Sequence, residues 1–185
     1  MVYTIGHSTR EFGEFLGLLE THGIRHVVDV RRYPASRRHP QYVRAALEQT
    51  LAAAGIAYTH EVDLGGRRTP RPDSPNTGWR SGSFRGYADH MDSEAFQAAL
   101  DRLITIAGQS RTVVMCAEAV PWRCHRQLIA DVLLARGHEA RHILSLERAD
   151  THRLTPFARV ESNGLVHYPA IPEQLGLGGM ADAHS

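Results

Sequence analysis

At 185 residues the chain has the length of one ordinary domain, enough to bury about 70% of the surface its unfolded form exposes, so folding calls for neither a disulfide nor a metal staple. Two cysteines, Cys116 and Cys124, are too few for a disulfide scaffold. With no signal peptide and no apolar run near ~18 residues, they predict a cytoplasmic protein without a membrane partner. The net charge of +1 conceals an asymmetry, since Arg25 to Arg85 carries eleven arginines against Asp29, Glu48, Glu61, Asp63 and Asp73. All 21 basic residues are arginine, which suits planar forks that grip phosphate or carboxylate and which a GC-rich genome also produces.

Val2–Ile5 reads as a short buried strand, and Ser8 with Glu11 has the spacing of a capping box opening a helix with Phe12, Phe15, Leu16 and Leu19 on one face. Gly23 punctuates its end before the strand His26–Val30. A second helical stripe, Val43, Leu47, Leu51 and Ala54, closes at Gly55 and leads into the strand Ile56–His60. From Asp63 to Met91 glycine, proline and arginine dominate, and an irregular segment is expected; structureless stretches of that length inside a domain are usually functional or disordered. Phe96, Leu100, Leu103 and Ile104 then mark a helix, Thr112–Cys116 a strand, Gln127–Arg136 a helix and His142–Leu144 a fifth strand. Phe157–Val160 and Leu165–Tyr168 flank the turn signal Ser162-Asn163-Gly164. The alternation predicts an α/β fold: a mainly parallel sheet of about five strands with helices on both faces, plus a C-terminal β-hairpin. One domain is expected over residues 1–172, with a flexible tail over 173–185.

Open parallel sheets bind ligands outside the carboxyl ends of their strands, and the residues there are polar: His7, Asp29 with Arg31, His60 with Glu61, and Cys116 with Glu118. The turn Cys116-Ala117-Glu118-Ala119-Val120-Pro121-Trp122-Arg123-Cys124-His125-Arg126 carries the densest chemistry. A helix start there favours a thiolate or an anion. Cys116 as a nucleophile would superficially parallel a rhodanese or cysteine-phosphatase loop, although the turn lacks glycine and Glu118 opposes thiol ionisation. Cys116, Cys124 and His125, with His7, His39 or Glu118 as a fourth donor, make a zinc alternative. Their eight-residue spacing fits no standard zinc knuckle, and adjacent Cys124 and His125 are expected to strain against shared chelation, so no cofactor is assigned. The bland reading makes both cysteines small buried hydrophobes.

A second patch follows the second strand: Asp29-Val30-Arg31-Arg32-Tyr33-Pro34-Ala35-Ser36-Arg37-Arg38-His39-Pro40. Arginine and serine to hold phosphate, with Tyr33 to stack on a base, is the grammar of single-stranded nucleic-acid surfaces. Trp79, Phe84 and Tyr87, interleaved with Arg80 and Arg85, extend it, unless those aromatics fold back on the sheet edge.

The chain resembles the bacterial family named domain of unknown function 488. The resemblance is carried by Thr4-Ile5-Gly6-His7-Ser8, Val28-Asp29-Val30-Arg31, Pro34-Ala35-Ser36-Arg37, Leu64-Gly65-Gly66, Phe84-Arg85-Gly86-Tyr87, Cys116-Ala117-Glu118 and Cys124-His125-Arg126, in order from Tyr3 to Leu144. It implies an α/β fold and supplies no mechanism. The leading expectation is an enzyme acting on a phosphorylated small molecule, nucleotide or nucleic acid. Glu118, His7, Cys116 and His125 are its candidate catalytic residues, and Asp29, Arg31, Arg37, Arg38, Arg85, Tyr87 and Arg126 its anion- and substrate-binding set. A non-catalytic nucleic-acid-binding module and a thiol-dependent enzyme using Cys116 are the alternatives.

Overall fold

Strand and helix alternate through the chain as the hydrophobic periods predict. In the computed structural model, which describes residues 1–35 and 38–171, five strands run parallel: β1 (Val2–Gly6), β2 (His26–Asp29), β3 (Ala57–His60), β4 (Thr112–Cys116) and β5 (Ala140–Ile143). A sixth, β6 (Ala149–Thr151), pairs antiparallel with β5, giving the order β3-β2-β4-β1-β5-β6. The C-terminal hairpin is present as β7 (Arg159–Val160) and β8 (Val166–His167). Arg37 and the tail expected over 173–185 lie outside the described residues. Among the described residues no helix is long and apolar enough to cross a membrane.

Strand side chains alternate between faces, and that alternation divides the core in two. Ile5, Val27, Val113 and Met115 pack under α1 (Phe12–Thr21) and α2 (Arg44–Ala53). Val28, Val114 and Cys116 pack under α3 (Gly82–Met91), α4 (Glu94–Gln109) and α5 (Arg126–Ala135). Two expectations are corrected. The capping box does not form, because α1 starts at Phe12 after Glu11 without a side-chain cap, and Ser8 sits at φ 52°. The segment expected to be irregular up to Met91 contains α3, whose Gly86 is a packing requirement: a Cβ there would stand 2.4 Å from the Arg68 carbonyl oxygen.

The connection from β1 through α1 to β2 passes β4 toward one sheet edge, and the connection from β4 through α5 to β5 passes β1 toward the other. Neighbouring β1 and β4 therefore send their loops to opposite faces, which opens a crevice at their carboxyl ends. His7 N–H to Cys116 O (2.9 Å) and Ser8 N–H to Ala117 O (2.9 Å) carry the ladder one step past the strands and fix the loops to each other.

The opposite edge is held by a buried polar chain that no local sequence pattern announces. His152 Nε2–H donates to Asp131 Oδ1 (2.9 Å), which leaves His152 Nδ1 to accept from His142 Nε2–H (3.0 Å) and His142 Nδ1 to accept from the Thr4 hydroxyl (2.7 Å). Asp131 also accepts from the Thr155 N–H and hydroxyl and from the Tyr168 hydroxyl. One carboxylate thus ties α5 to β5, the β6 segment and the hairpin.

Asp131→Ala strands these donors in the interior, where each unmet partner costs roughly 1–3 kcal/mol, and a loss of at least about 3 kcal/mol in urea unfolding is expected. A loss under about 1 kcal/mol would show that the network contributes little. His142 is lowered from 6.5 to about 4 by burial, with His152 and Arg126 acting in the same direction and Asp150 and Asp131 against it. Below pH 6.5 the unfolded chain binds a proton that the folded chain refuses, so stability falls as pH drops toward 4, by about 3 kcal/mol from this histidine. Urea titrations across that window, wild type against His142→Gln, should give the variant the shallower dependence; equal slopes would reject the assignment.

Candidate functional site

The site is built where β1, β2 and β4 end. Gly6 closes β1 so near the β4 loop that a Cβ would lie 1.7 Å from the Glu118 carbonyl oxygen. The same oxygen accepts from Arg126 Nη2 (2.5 Å), while Arg126 Nε–H donates to Cys124 Sγ (3.3 Å). Arg126 is 1% exposed, so it braces the turn from inside and does not line the cleft.

Asp29 and Arg31 form a buried pair at the end of β2. The Arg31 Nη2–Asp29 Oδ2 distance is 2.6 Å, and Arg31 Nε–H donates to Oδ1 at 2.9 Å. Burial disfavours the guanidinium charge, but the Asp29 carboxylate outweighs it and holds the Arg31 pKa above its usual value. Arg31 Nη1 donates to Tyr42 O (2.8 Å) and to His7 Nε2 (3.3 Å). His7 Nδ1–H donates to Ser8 O (2.8 Å), and its ring stacks on Tyr42 at 4.0 Å. Burial lowers His7 from 6.5 to about 4, so the ring is neutral at neutral pH with both nitrogens engaged.

The cleft above this floor has a volume of about 320 Å³ and is lined by Arg31, Arg32, Tyr33, Gly66, Arg67, Phe84, Tyr87, Cys116, Glu118, Arg123, Cys124 and His125, among others. A contiguous depression shares Arg31, Tyr33, Arg67 and Glu118 and adds His7 and His39. Glu118, Arg67 and Arg123 are exposed, and none of their side chains has a hydrogen bond or ion pair among the described residues. Arg67 and Arg123 were not in the sequence-derived site. The signal for Arg67 was its place after Gly65-Gly66, and for Arg123 its place inside the cysteine turn.

Of the other candidates, Tyr87 is buried, donating to Leu64 O (2.8 Å) with its ring 4.9 Å from His125. Arg85 donates to Trp79 O (3.0 Å) and lies outside the cleft, as does exposed Arg38. Trp79 packs inward on Phe84 (4.8 Å), Phe157 (4.9 Å) and Tyr168 (5.4 Å), that is, on α3 and the segment around the hairpin.

Cys116 and Cys124 are free and buried. His125 Nε2–H donates to Val30 O (3.2 Å), which turns Nδ1 toward the thiols, 3.7 Å from Cys124 Sγ and 4.0 Å from Cys116 Sγ. The expected strain between Cys124 and His125 does not arise, because Cys124 is extended (φ −134°, ψ 147°) and His125 helical (φ −58°, ψ −13°). The backbone change lets consecutive side chains converge. A hydrogen bond to Cys124, reinforced by burial, pushes the Cys116 thiol up. Burial opposes ionisation of Cys124 as well, but Cys116, His125 and Arg126 outweigh it and pull that thiol down. These three donor atoms lie within 4.8 Å of one another, the one such group of His, Cys, Asp or Glu found among the described residues.

The sheet order and the arginine-lined crevice at its strand ends define an α/β protein of the parallel-sheet class. Within that class the chain belongs to the family Domain of unknown function DUF488, whose model matches residues 11–133. The match takes in the Asp29–Arg31 pair and the whole Cys116–Arg126 turn. No curated protein and no solved structure matches the chain.

Gly6→Ala forces a methyl group against backbone, and overpacking of that kind costs typically 1–3 kcal/mol. The melting temperature should fall, and alkylation of Cys116 and Cys124 in the native protein should quicken as the turn lifts. Unchanged labelling would mean that the turn is held without this close approach.

Proposed function

We propose that the chain is an enzyme acting on a phosphorylated substrate, a nucleotide or nucleic acid, held in the strand-end cleft. What supports the reading above all is that Arg67, Arg123 and Glu118 share one cleft and that, among the described residues, none of the three side chains has a hydrogen-bond or ion-pair partner. Charged side chains that make structural bonds are found with their partners, as Arg31 is with Asp29. Guanidinium forks match phosphate oxygens and hold them bidentately. A carboxylate beside the bound phosphate provides acid-base chemistry of the kind worth roughly 10²–10⁴-fold in rate. Tyr33 is 63% exposed at the rim, with the Arg32 guanidinium 5.6 Å from its ring centroid, and offers a face on which a base can stack.

The reading reassigns roles. Arg31 is bound to Asp29, Tyr42 and His7, so it stiffens the floor, and Arg67 and Arg123 hold the anion. His7, neutral and bonded on both sides, positions the β1 loop, while Glu118 acts on the substrate.

Fluorescence polarisation with labelled single-stranded DNA and RNA, in EDTA across a salt series, tests it. The Arg67→Ala/Arg123→Ala protein should bind at least tenfold more weakly, and its log–log salt slope should be shallower by about 1.4, the value for two lost single-strand phosphate contacts. Glu118→Gln should bind as wild type and, in a separate assay without chelator, lose roughly 100-fold or more in turnover of the probe. Equal affinity and slope in the arginine variant would remove the cleft from phosphate recognition. Wild-type turnover in Glu118→Gln would remove Glu118 from the mechanism, and binding without any turnover by the wild type would leave a non-catalytic binding module.

A further inference from the structure

The two thiols and the imidazole converge, with their ligand atoms all within 4.8 Å of one another. A tetrahedral zinc ion with Zn–S near 2.3 Å and Zn–N near 2.0–2.1 Å sets its sulfur and nitrogen ligands about 3.6 Å apart. His125 Nδ1 is 3.7 Å from Cys124 Sγ and 4.0 Å from Cys116 Sγ. Shifts of a few tenths of an ångström would bring those spacings to that value. We propose that Cys116 Sγ, Cys124 Sγ and His125 Nδ1 bind one zinc ion, with the fourth position open to the strand-end cleft.

Three features around the donors support this assignment. The bond from His125 Nε2–H to Val30 O (3.2 Å) fixes the tautomer whose Nδ1 lone pair is available, and ligating histidines characteristically make such an outer bond. Arg126 Nε–H donates to Cys124 Sγ (3.3 Å) and is directed at the sulfur that must be ionised to bind metal. Gly66 leaves the approach to the imidazole clear, since a Cβ there would sit 2.8 Å from Nδ1.

The donor chemistry selects the ion. Two thiolates and one imidazole suit a borderline-soft divalent metal such as zinc and are a poor set for magnesium or calcium, which take oxygen. Three protein donors leave a coordination position for water or substrate, as in catalytic zinc sites, whereas structural sites are closed by four. All three donor residues line the cleft, so that position faces the space that Glu118 also lines. The inference rests on donor geometry and stands apart from the phosphate reading.

Purified full-length protein, stripped with chelator and kept reduced, is titrated with zinc against a chromophoric chelator, and separately with cobalt(II). One zinc per chain is expected, and cobalt should give thiolate-to-metal charge-transfer absorption with tetrahedral visible bands. Cys116→Ser, Cys124→Ser and His125→Ala should each weaken zinc binding by more than the roughly 10–100-fold typical of losing an outer partner. Because a buried cysteine variant can misfold, the wild-type protein supplies a second readout: one equivalent of zinc should protect both thiols from alkylation. Absence of stoichiometric zinc binding, a cobalt spectrum without thiolate charge transfer, or thiols alkylated equally fast with and without zinc would each overturn the proposal. No nucleic acid is present in these titrations, whereas the polarisation assay runs in EDTA, so either reading can fail alone.

Discussion

A carboxylate buried at the end of β2 sets the terms for the rest of the site. Asp29 is 0% exposed, and a charge there persists only if it is paired and its remaining lone pairs are filled. Arg31 supplies the pairing through Nε and Nη2 and adds its own backbone N–H, and the Tyr58 hydroxyl from β3 completes the set. The remaining face of the guanidinium reaches Tyr42 O and His7 Nε2. Five segments of chain therefore converge on one ion pair: β1's loop, β2, the loop after it, the Pro40–Tyr42 turn and β3. Removing one member of such a pair typically costs 3–5 kcal/mol because the other is left uncompensated. The same commitment explains why Arg31, the first cation one would choose as an anion ligand, belongs to the floor.

Strand alternation decides what stands on that floor. In β4, Val113 and Met115 face α1 and α2, so Cys116 faces α5 and meets the residues that open it. The turn between them is shaped unlike a phosphate-cradling loop, which points successive backbone N–H groups at its ligand. Here the N–H groups of Arg123 and Cys124 are used inside the turn, bonding to Val120 O (3.3 Å) and Pro121 O (2.9 Å). The turn instead delivers side chains: two sulfurs and one imidazole nitrogen at a common point, with Glu118 and Arg123 on the same cleft.

The fold was legible where periodicity is strong. Apolar runs and helical stripes located β1 to β5 and the helices α1, α2, α4 and α5, and Gly23, Gly55 and Gly137 fell at helix ends. The missed helix, α3, carries Gly82, Gly86 and a serine on each side of Gly82, which read as loop; its Gly86 reflects the nearness of Arg68 O, a tertiary contact no local rule contains. The capping box failed for a related reason, since the Ser8 backbone is bound to Ala117 O across the crevice. At the site, the rule of polar strand ends named Asp29, Cys116 and Glu118, and the helix start after the turn named His125. It could not tell committed side chains from available ones. The chain from Asp131 through His152 and His142 to Thr4 joins residues remote in sequence and was invisible for that reason.

The concentration of arginine between Arg25 and Arg85 acquires a second explanation from this partition. The stretch from Glu61 to Ser81 has no strand ladder, so its carbonyl groups need other donors. Guanidinium groups serve several of them: Arg32 bonds Arg67 O (2.8 Å), Arg68 bonds Gly65 O (3.0 Å) and Arg85 bonds Trp79 O (3.0 Å). A long fork with five N–H donors can reach a carbonyl that a short side chain cannot, and it keeps its charge while doing so. The segment is thus basic partly because arginine substitutes for secondary structure. What remains for a ligand is the residue of that accounting, and Arg67 illustrates it: its carbonyl is bonded by Arg32, its backbone is held at φ 59°, and its guanidinium lines the cleft without a partner among the described residues. The loop immobilises the backbone of the very residue whose charge it leaves uncommitted, which is the preorganisation an anion site requires.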